Sequence, residues 1–297
     1  MKKIISFIML FGFACLINAS TISDKSGTTG FTFLKIAQGA RATAMGECYV
    51  GLADDVNAIY FNPAGLSQTT MHEVSASYVI WFEDISKSYV GYVHPPFNFG
   101  TVGLSINYIA IPFEKRTIED DNNYSKVTLA NYVISAAYGK KISEKISAGA
   151  VIKIISEDLD TKTNSGFAVD LGGLYKMKET FNLGLSLQNI GGNDTPMNLR
   201  LGVLKNLMDK KLSLLSDLYY GLADGTMSLG LGGEYKLNDY FCPRLGYRAR
   251  FNNSNLTGLA GFTAGFGLKY QKYNLDYVLA PYGELGTTHR LDFIIKF

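Results

Sequence analysis

From about residue 70 to the end of the chain, apolar residues recur at every second position. Val102, Leu104, Ile106 and Tyr108 are separated by Gly103, Ser105 and Asn107; Phe262, Ala264, Phe266, Leu268 and Tyr270 are separated by Thr263, Gly265, Gly267 and Lys269. Side chains of an extended strand point to opposite faces in turn, so each segment carries one apolar face and one small or polar face, a pattern that helical spacing does not fit. Turn signals such as Pro95-Pro96, Gly139-Lys140-Lys141, Lys236-Leu237-Asn238-Asp239 and Gln271-Lys272 cut the region into pieces. Fourteen strands result, at 70–83, 85–94, 100–112, 126–139, 145–158, 165–177, 181–190, 197–206, 210–220, 226–236, 240–250, 258–270, 272–280 and 287–297. Strands of soluble sheets average about 5–6 residues, whereas a tilted membrane strand needs about 9–11. Length therefore points to an all-β fold, an antiparallel transmembrane β-barrel.

Connection lengths support that reading. Turns after the fourth, sixth, eighth, tenth and twelfth strands are tight, while those after the third, fifth, ninth, eleventh and thirteenth tend to be longer and more polar, for example Glu114 to Lys126 and Asn252 to Thr257, as in bacterial outer-membrane barrels. The first loop, near Asp84, is very short and departs from the pattern. An even strand number brings both termini to the periplasmic side. In hydrocarbon an unpaired backbone N–H or C=O costs several kcal/mol, so a sheet crosses only when closed. Inward glycines, among them Gly103, Gly184, Gly230, Gly232, Gly265 and Gly267, leave room inside for a plug or a solute. Pro243 lacks a ladder donor within a strand, which predicts a bulge there. The final strand alternates Leu291, Phe293, Ile295 and Phe297 with polar or smaller positions and resembles the signal that outer-membrane proteins present to their assembly machinery.

The N-terminus adds the route. Lys2 and Lys3 precede an apolar run from Ile4 to Ile17, and Asn18, Ala19 and Ser20 follow. This is the layout of a cleaved secretory signal peptide, residues 1–19. Cys15 follows Gly12, Phe13 and Ala14, without the Leu that a lipoprotein signal carries three places upstream. Composition narrows the function classes. With 28 basic against 26 acidic residues, little positive surplus is left to neutralise phosphates, so nucleic acid is not an expected partner. His72, His94 and His289 lack zinc spacing, Gly65-Leu66-Ser67-Gln68-Thr69 misses the last Gly of a nucleophile elbow, and no Walker or dinucleotide fingerprint appears. The expectation is a non-enzyme with no cofactor and no metal.

Residues 20–69 break the alternation. The stretch 31–69 is rich in small residues, with Asp54 or Asp55 placed to cap a short helix through Ile59 and Pro63 opening a second turn through Leu66. It is too short for a domain of its own and is expected inside or beneath the barrel (residues 70–297) as a hatch. Here the motifs Gly39-Ala40-Arg41, Met45-Gly46, Leu52-Ala53-Asp54-Asp55, Asn57-Ala58 and Asn62-Pro63-Ala64-Gly65-Leu66, with the ending from Ala280 to Arg290, resemble the PorV/PorQ family. That family is related to the FadL-type long-chain fatty-acid transporters. The resemblance implies a fourteen-stranded barrel in the outer membrane of a Gram-negative-type bacterium, with an N-terminal hatch. It implies two functions: passive entry of a hydrophobic ligand through the lumen, or a type IX secretion shuttle that holds secreted protein cargo. Modest outer loops lean toward the first.

The candidate sites follow. Asp54, Asp55, Asn57, Asn62, Pro63, Ala64 and Gly65 form the hatch motif, whose acids either cap a helix or bind a cation, and whose Asn-Pro-Ala-Gly element is either a mobile gate or a rigid seat. Arg244, Arg248 and Arg250 share one face of a strand; a lipid-facing Arg costs about 2–4 kcal/mol at the midplane, so they should point inward. There they either grip an anionic group or join Glu234, Asp276, Asp292 and the hatch acids in an ion network. Cys48 and Cys242, the two cysteines past the signal, either pair in a disulfide between hatch and wall or stay as free thiols.

Overall fold

The computed structural model describes Lys25 and residues 27–116, 124–192, 195–251 and 259–297. The expected signal peptide, residues 1–19, and the Asn252–Thr257 loop lie outside these residues, as does most of the Glu114–Lys126 loop. Fourteen strands close into one antiparallel barrel. They are β1 (Glu73–Ile80), β2 (Ser86–Phe97), β3 (Gly100–Lys115), β4 (Ser125–Lys141), β5 (Ile146–Asp158), β6 (Thr163–Lys178) and β7 (Phe181–Gly191). The second half comprises β8 (Asn198–Leu207), β9 (Leu212–Gly221), β10 (Met227–Tyr235), β11 (Phe241–Arg250), β12 (Phe262–Tyr270), β13 (Tyr273–Pro281) and β14 (Thr287–Lys296). Each strand pairs with its sequence neighbours, and β1 pairs with β14 from Glu73↔Lys296 to Ile80↔His289, so no sheet edge is left in the spanning region.

The alternation resolves into lipid and lumen faces. On β5, Ile152 and Ile154 are exposed while Val151 and Ile155 are fully buried; on β10, Leu231 and Tyr235 face out while Ser228 and Glu234 face in. At the C-terminus Leu291, Phe293 and Phe297 are exposed, with Phe293 stacked on Tyr273 and Phe297 on His72. Both ends of the barrel share one rim, where the connections are short, which is the periplasmic side of such barrels.

Pro243 does not mark a bulge. Pairing of β10 with β11 stops at Glu234↔Arg244, one residue short of the proline, and pairing with β12 runs through Pro243↔Phe266 without a break. The register shifts lie between His94 and Phe97 on β2, and in β6 between Val169 and Leu171 and between Lys176 and Lys178.

Residues 31–69 fill the lumen. A 3-10 turn (Thr32–Lys35), helix α1 (Ala40–Ala44), helix α2 (Ala58–Phe61) and a second 3-10 turn (Pro63–Gln68) follow one another. Phe31, Phe33 and Leu34 pack with Ile109, Val133, Ile155 and Ala168 near the outer mouth, and Lys35 reaches Asp224 in the β9–β10 outer connection. From there the chain descends to the periplasmic rim. Sequence reasoning placed both termini of the chain on that rim. It holds for the barrel, but Phe31 to Lys35 of the hatch sit toward the opposite end of the bore.

Candidate functional site

The hatch is seated by glycines. Where its backbone runs along the wall, a Cβ has no room: one built on Gly184 would lie 2.1 Å from the Val50 carbonyl oxygen, and one on Gly246 2.0 Å from Gly46 N. Gly230 faces Cys48, Gly232 faces Met45, and Gly139, Gly149 and Gly172 form a cradle for Pro63 and its neighbours. Gly103 lies against Ile59 and Gly265 against Ala44. The inward glycines thus accommodate protein backbone, and the space they leave is taken.

Polar wall residues hold this backbone in register. Asp217 Oδ2 accepts the N–H groups of Tyr49 (2.8 Å) and Val50 (2.9 Å). Asp292 Oδ2 accepts the N–H of Ala40 at 2.7 Å, and Glu73 accepts that of Val56 at 2.9 Å. Lys87 and Arg290 donate to the carbonyls of Ile36 (2.7 Å) and Ala37 (2.6 Å). Asn62 is fully buried; its amide donates to Val50 O and Gly173 O while its oxygen accepts Ala64 N–H. With Pro63 at the first position of the turn, this is the geometry of a capped turn seated against the wall.

Below it lies a buried charge cluster. Arg41 bonds Glu234 (2.8 Å), Asp54 (2.6 Å) and Asp55 (3.2 Å). Arg244 bonds the same Glu234 (2.7 Å) and Asp276 (2.6 Å). Arg41 therefore links the hatch to the strand network, and its role was not legible from the motif alone. Arg248 pairs with Glu47 of the hatch and with Ser228, and Arg250 lies over the ring of Tyr282 at 5.2 Å. Asp292 stands apart from the arginines, bound instead to the first N–H of α1. Neither Asp54 nor Asp55 caps α2, whose N-cap is Asn57; Asp55 Oδ1 accepts the Asn57 N–H at 2.8 Å just ahead of it. Burial opposes the charge on Asp55, yet Arg41, Lys296, the Tyr49 hydroxyl and the Asn57 N–H hold its carboxyl below the ordinary range.

Cys48 and Cys242 are free thiols. Cys48 Sγ faces Gly230, which pairs with Arg248; Cys242 lies six residues down β11 from there, ~20 Å at strand rise, far beyond the reach of a disulfide. Burial pushes the Cys48 thiol well up, and the Asp217 carboxylate adds to it. Among the described residues no cluster of His, Cys, Asp and Glu is arranged to hold a metal ion.

Between the hatch and the β2–β5 wall a cavity remains, lined by Phe33, Leu34, Ile59, Tyr60, Ile109 and Val133, with Lys87 and Lys153 at its side. Its volume is about 20 Å3, enough for a water molecule. Lys153 pairs with Asp170 at 2.6 Å and bonds Asn189, and Arg200 lies over the rings of Tyr60, Phe61 and Tyr219.

Solved structures share this architecture. The chain is similar to the toluene transporter TodX of Pseudomonas putida (TM-score 0.66, 13% identity, covering 88% of this chain and 97% of that one). It is also similar to the toluene transporter TbuX of Ralstonia pickettii (0.61, 13%, 88% and 97%) and to a FadL homologue of Pseudomonas aeruginosa (0.59, 10%, 88% and 98%). At such identities the likeness is one of fold. A comparison with the curated proteins finds no match. A family model described as type IX secretion system protein PorV matches residues 19–203, more than half of the chain, and on that match this outer-membrane β-barrel belongs to the PorV family.

Proposed function

We propose that the barrel takes up hydrophobic small molecules from the outer face, with the Phe31–Ala37 segment as the element that must yield. The cavity beside Phe33 and Leu34 carries this reading. Its walls combine the apolar and aromatic side chains of Phe33, Leu34, Ile59, Tyr60, Ile109 and Val133 with polar groups on the strands (Lys87, Ser105, Asn107, Ser135, Lys153). Ligand sites are mostly apolar with a few polar groups, but they measure about 300–1,000 Å3 against about 20 Å3 here. A guest therefore fits only by displacing the side chains of Phe33 and Leu34. The tether that resists this is short: Lys35 to Asp224 at 2.5 Å, Lys87 to Ile36 O, and the Tyr60 hydroxyl to Leu34 O. Lower down, the glycine seat and the Arg41 cluster hold the rest of the hatch in place.

The test is uptake of labelled monoaromatic and long-chain acyl compounds by cells lacking the gene and carrying it on a plasmid. Wild-type barrel should raise uptake of at least one class, and Phe33→Ala with Leu34→Ala should raise it further. Equal uptake with and without the protein, across both classes, refutes the reading.

One observation favours a second function, binding of exported protein in type IX secretion. On the outer side β3 outruns β2, so Ile111–Lys115 pair with β4 alone; β6 outruns β7, so residues 163–167 pair with β5 alone. Free strand edges of this kind accept an added strand from a partner. Co-purification of exported proteins sharing a C-terminal domain, lost when the tips of these hairpins are shortened, supports this second reading; no such co-purification removes it.

A further inference from the structure

Charge is distributed unequally between the two rims. Five of the six periplasmic connections, those following β4, β6, β8, β10 and β12, together with the strand ends beside them expose ten lysines against four carboxylates. Only the β2–β3 connection, Pro-Phe-Asn-Phe in sequence, has none. Counted the same way, the described residues of the opposite rim expose five carboxylates, Glu83, Asp84, Glu114, Asp160 and Glu284, against three basic residues, Arg116, Lys126 and Lys162.

The lysines sit where the apolar belt ends. Exposed aromatic residues are interleaved with them, among them Tyr235, Tyr240, Tyr270 and Tyr273, and Lys272 lies over the ring of Tyr273 at 5.4 Å. A lysine stem can follow the apolar wall while its ammonium reaches the headgroup layer. Exposed acids at the same level are too few to neutralise the ring: the pair of Lys210 with Glu179 is 3.9 Å apart and exposed on both sides.

We propose that this ring binds the headgroups of anionic phospholipids in the periplasmic leaflet. Its distribution identifies the occupant. A protein docks on one sector of a barrel, whereas lipid surrounds it, and the lysines follow most of the circumference. The turns between these strand ends are two to five residues long, too short to build a groove for a folded partner. Negative charge next to an aromatic girdle, at the edge of hydrocarbon, is what anionic lipid supplies.

The experiment uses the full-length barrel in bilayer nanodiscs of equimolar phosphatidylcholine and phosphatidylglycerol. Spin-labelled analogues of each lipid report how strongly each associates with the barrel surface. Phosphatidylglycerol should associate about fivefold more strongly, the gain from one lysine per headgroup. Replacing Lys140, Lys141, Lys176, Lys178, Lys210 and Lys211 by Gln should bring the ratio close to one, and Arg at the same six positions should restore it. Heat-shifted gel mobility checks that each variant is a closed barrel. Equal association of the two lipids with wild-type barrel overturns the proposal, as does a preference that survives the Gln substitutions. Retention of an acidic periplasmic protein by wild-type barrel in pure phosphatidylcholine discs, without any lipid preference, overturns it in favour of a protein partner.

Discussion

Replacing Gly184 by Ala tests whether the hatch depends on the missing side chains of the wall. The added Cβ would lie 2.1 Å from Val50 O, 2.6 Å from Val50 C and 2.9 Å from Gly51 N. Both neighbours are backbone, so the hatch must retreat by more than an ångström to reach ordinary contact. That retreat pulls Tyr49 and Val50 from Asp217 and strains the bond from Asn62 to Val50 O. Hydrogen bonds to a charged group contribute about 1.5–3 kcal/mol each, so losing the two at Asp217 costs about 3 kcal/mol or more. A local opening easier by that amount exchanges its amides about a hundredfold faster. Hydrogen–deuterium exchange across residues 46–53 reads it, while the β1–β14 strands should keep their protection. Gly173→Ala is the control, because nothing lies within 4 Å of its Cβ position. Unchanged exchange in Gly184→Ala, or equal acceleration in both variants, would refute the argument that backbone seats on glycine.

Other expectations follow from the same geometry. Glu234→Gln leaves Arg41 and Arg244 without their shared carboxylate; removing one member of a buried ion pair costs about 3–5 kcal/mol, read as a lower urea midpoint in detergent micelles. The Asp55 carboxyl is held below its ordinary value in the folded hatch, so its contribution is complete above the unfolded value near ~3.9 and is lost as pH falls through the lower folded value. Hatch amide exchange should therefore quicken in strong acid, and Asp55→Asn should remove that dependence. Both thiols should react with a maleimide after unfolding, but in the native barrel Cys48, fully buried, should stay unlabelled. A mass lower by two protons without reductant would refute the free-thiol assignment.

Strand number and facing were readable in the chain because a sheet closed in lipid forces a strict period of two, and tight turns interrupt it at regular intervals. Inward pointing of Arg244 followed from the same parity, and register places Glu234 opposite it on the adjacent β10; Asp276, two strands away on β13, meets it over Gly267 of β12. Depth was not readable. Alternation says which face a residue occupies but not which hatch atom stands at its height, so nothing in the sequence singles out Asp217, Lys87 and Arg290 as the residues that hold hatch backbone. Asp292 had the right parity and a different partner, the N–H of Ala40. The upward path of residues 31–37 had no signal either, since an apolar stretch such as Phe31-Thr32-Phe33-Leu34 fits equally well at either end of a bore.

The position of that stretch has a consequence for assembly. The segment between Phe31 and Thr69 traverses the tube from mouth to mouth, yet the ring around it is completed by a seam between the first strand and the last. A finished cylinder offers no way to insert a strap that is clamped by both halves of its circumference. The early part of the chain must therefore already be in place, gathered against strands more than two hundred residues downstream such as β14, when Glu73 and Lys296 meet. The plug is in this sense the mandrel around which the cylinder is wrapped.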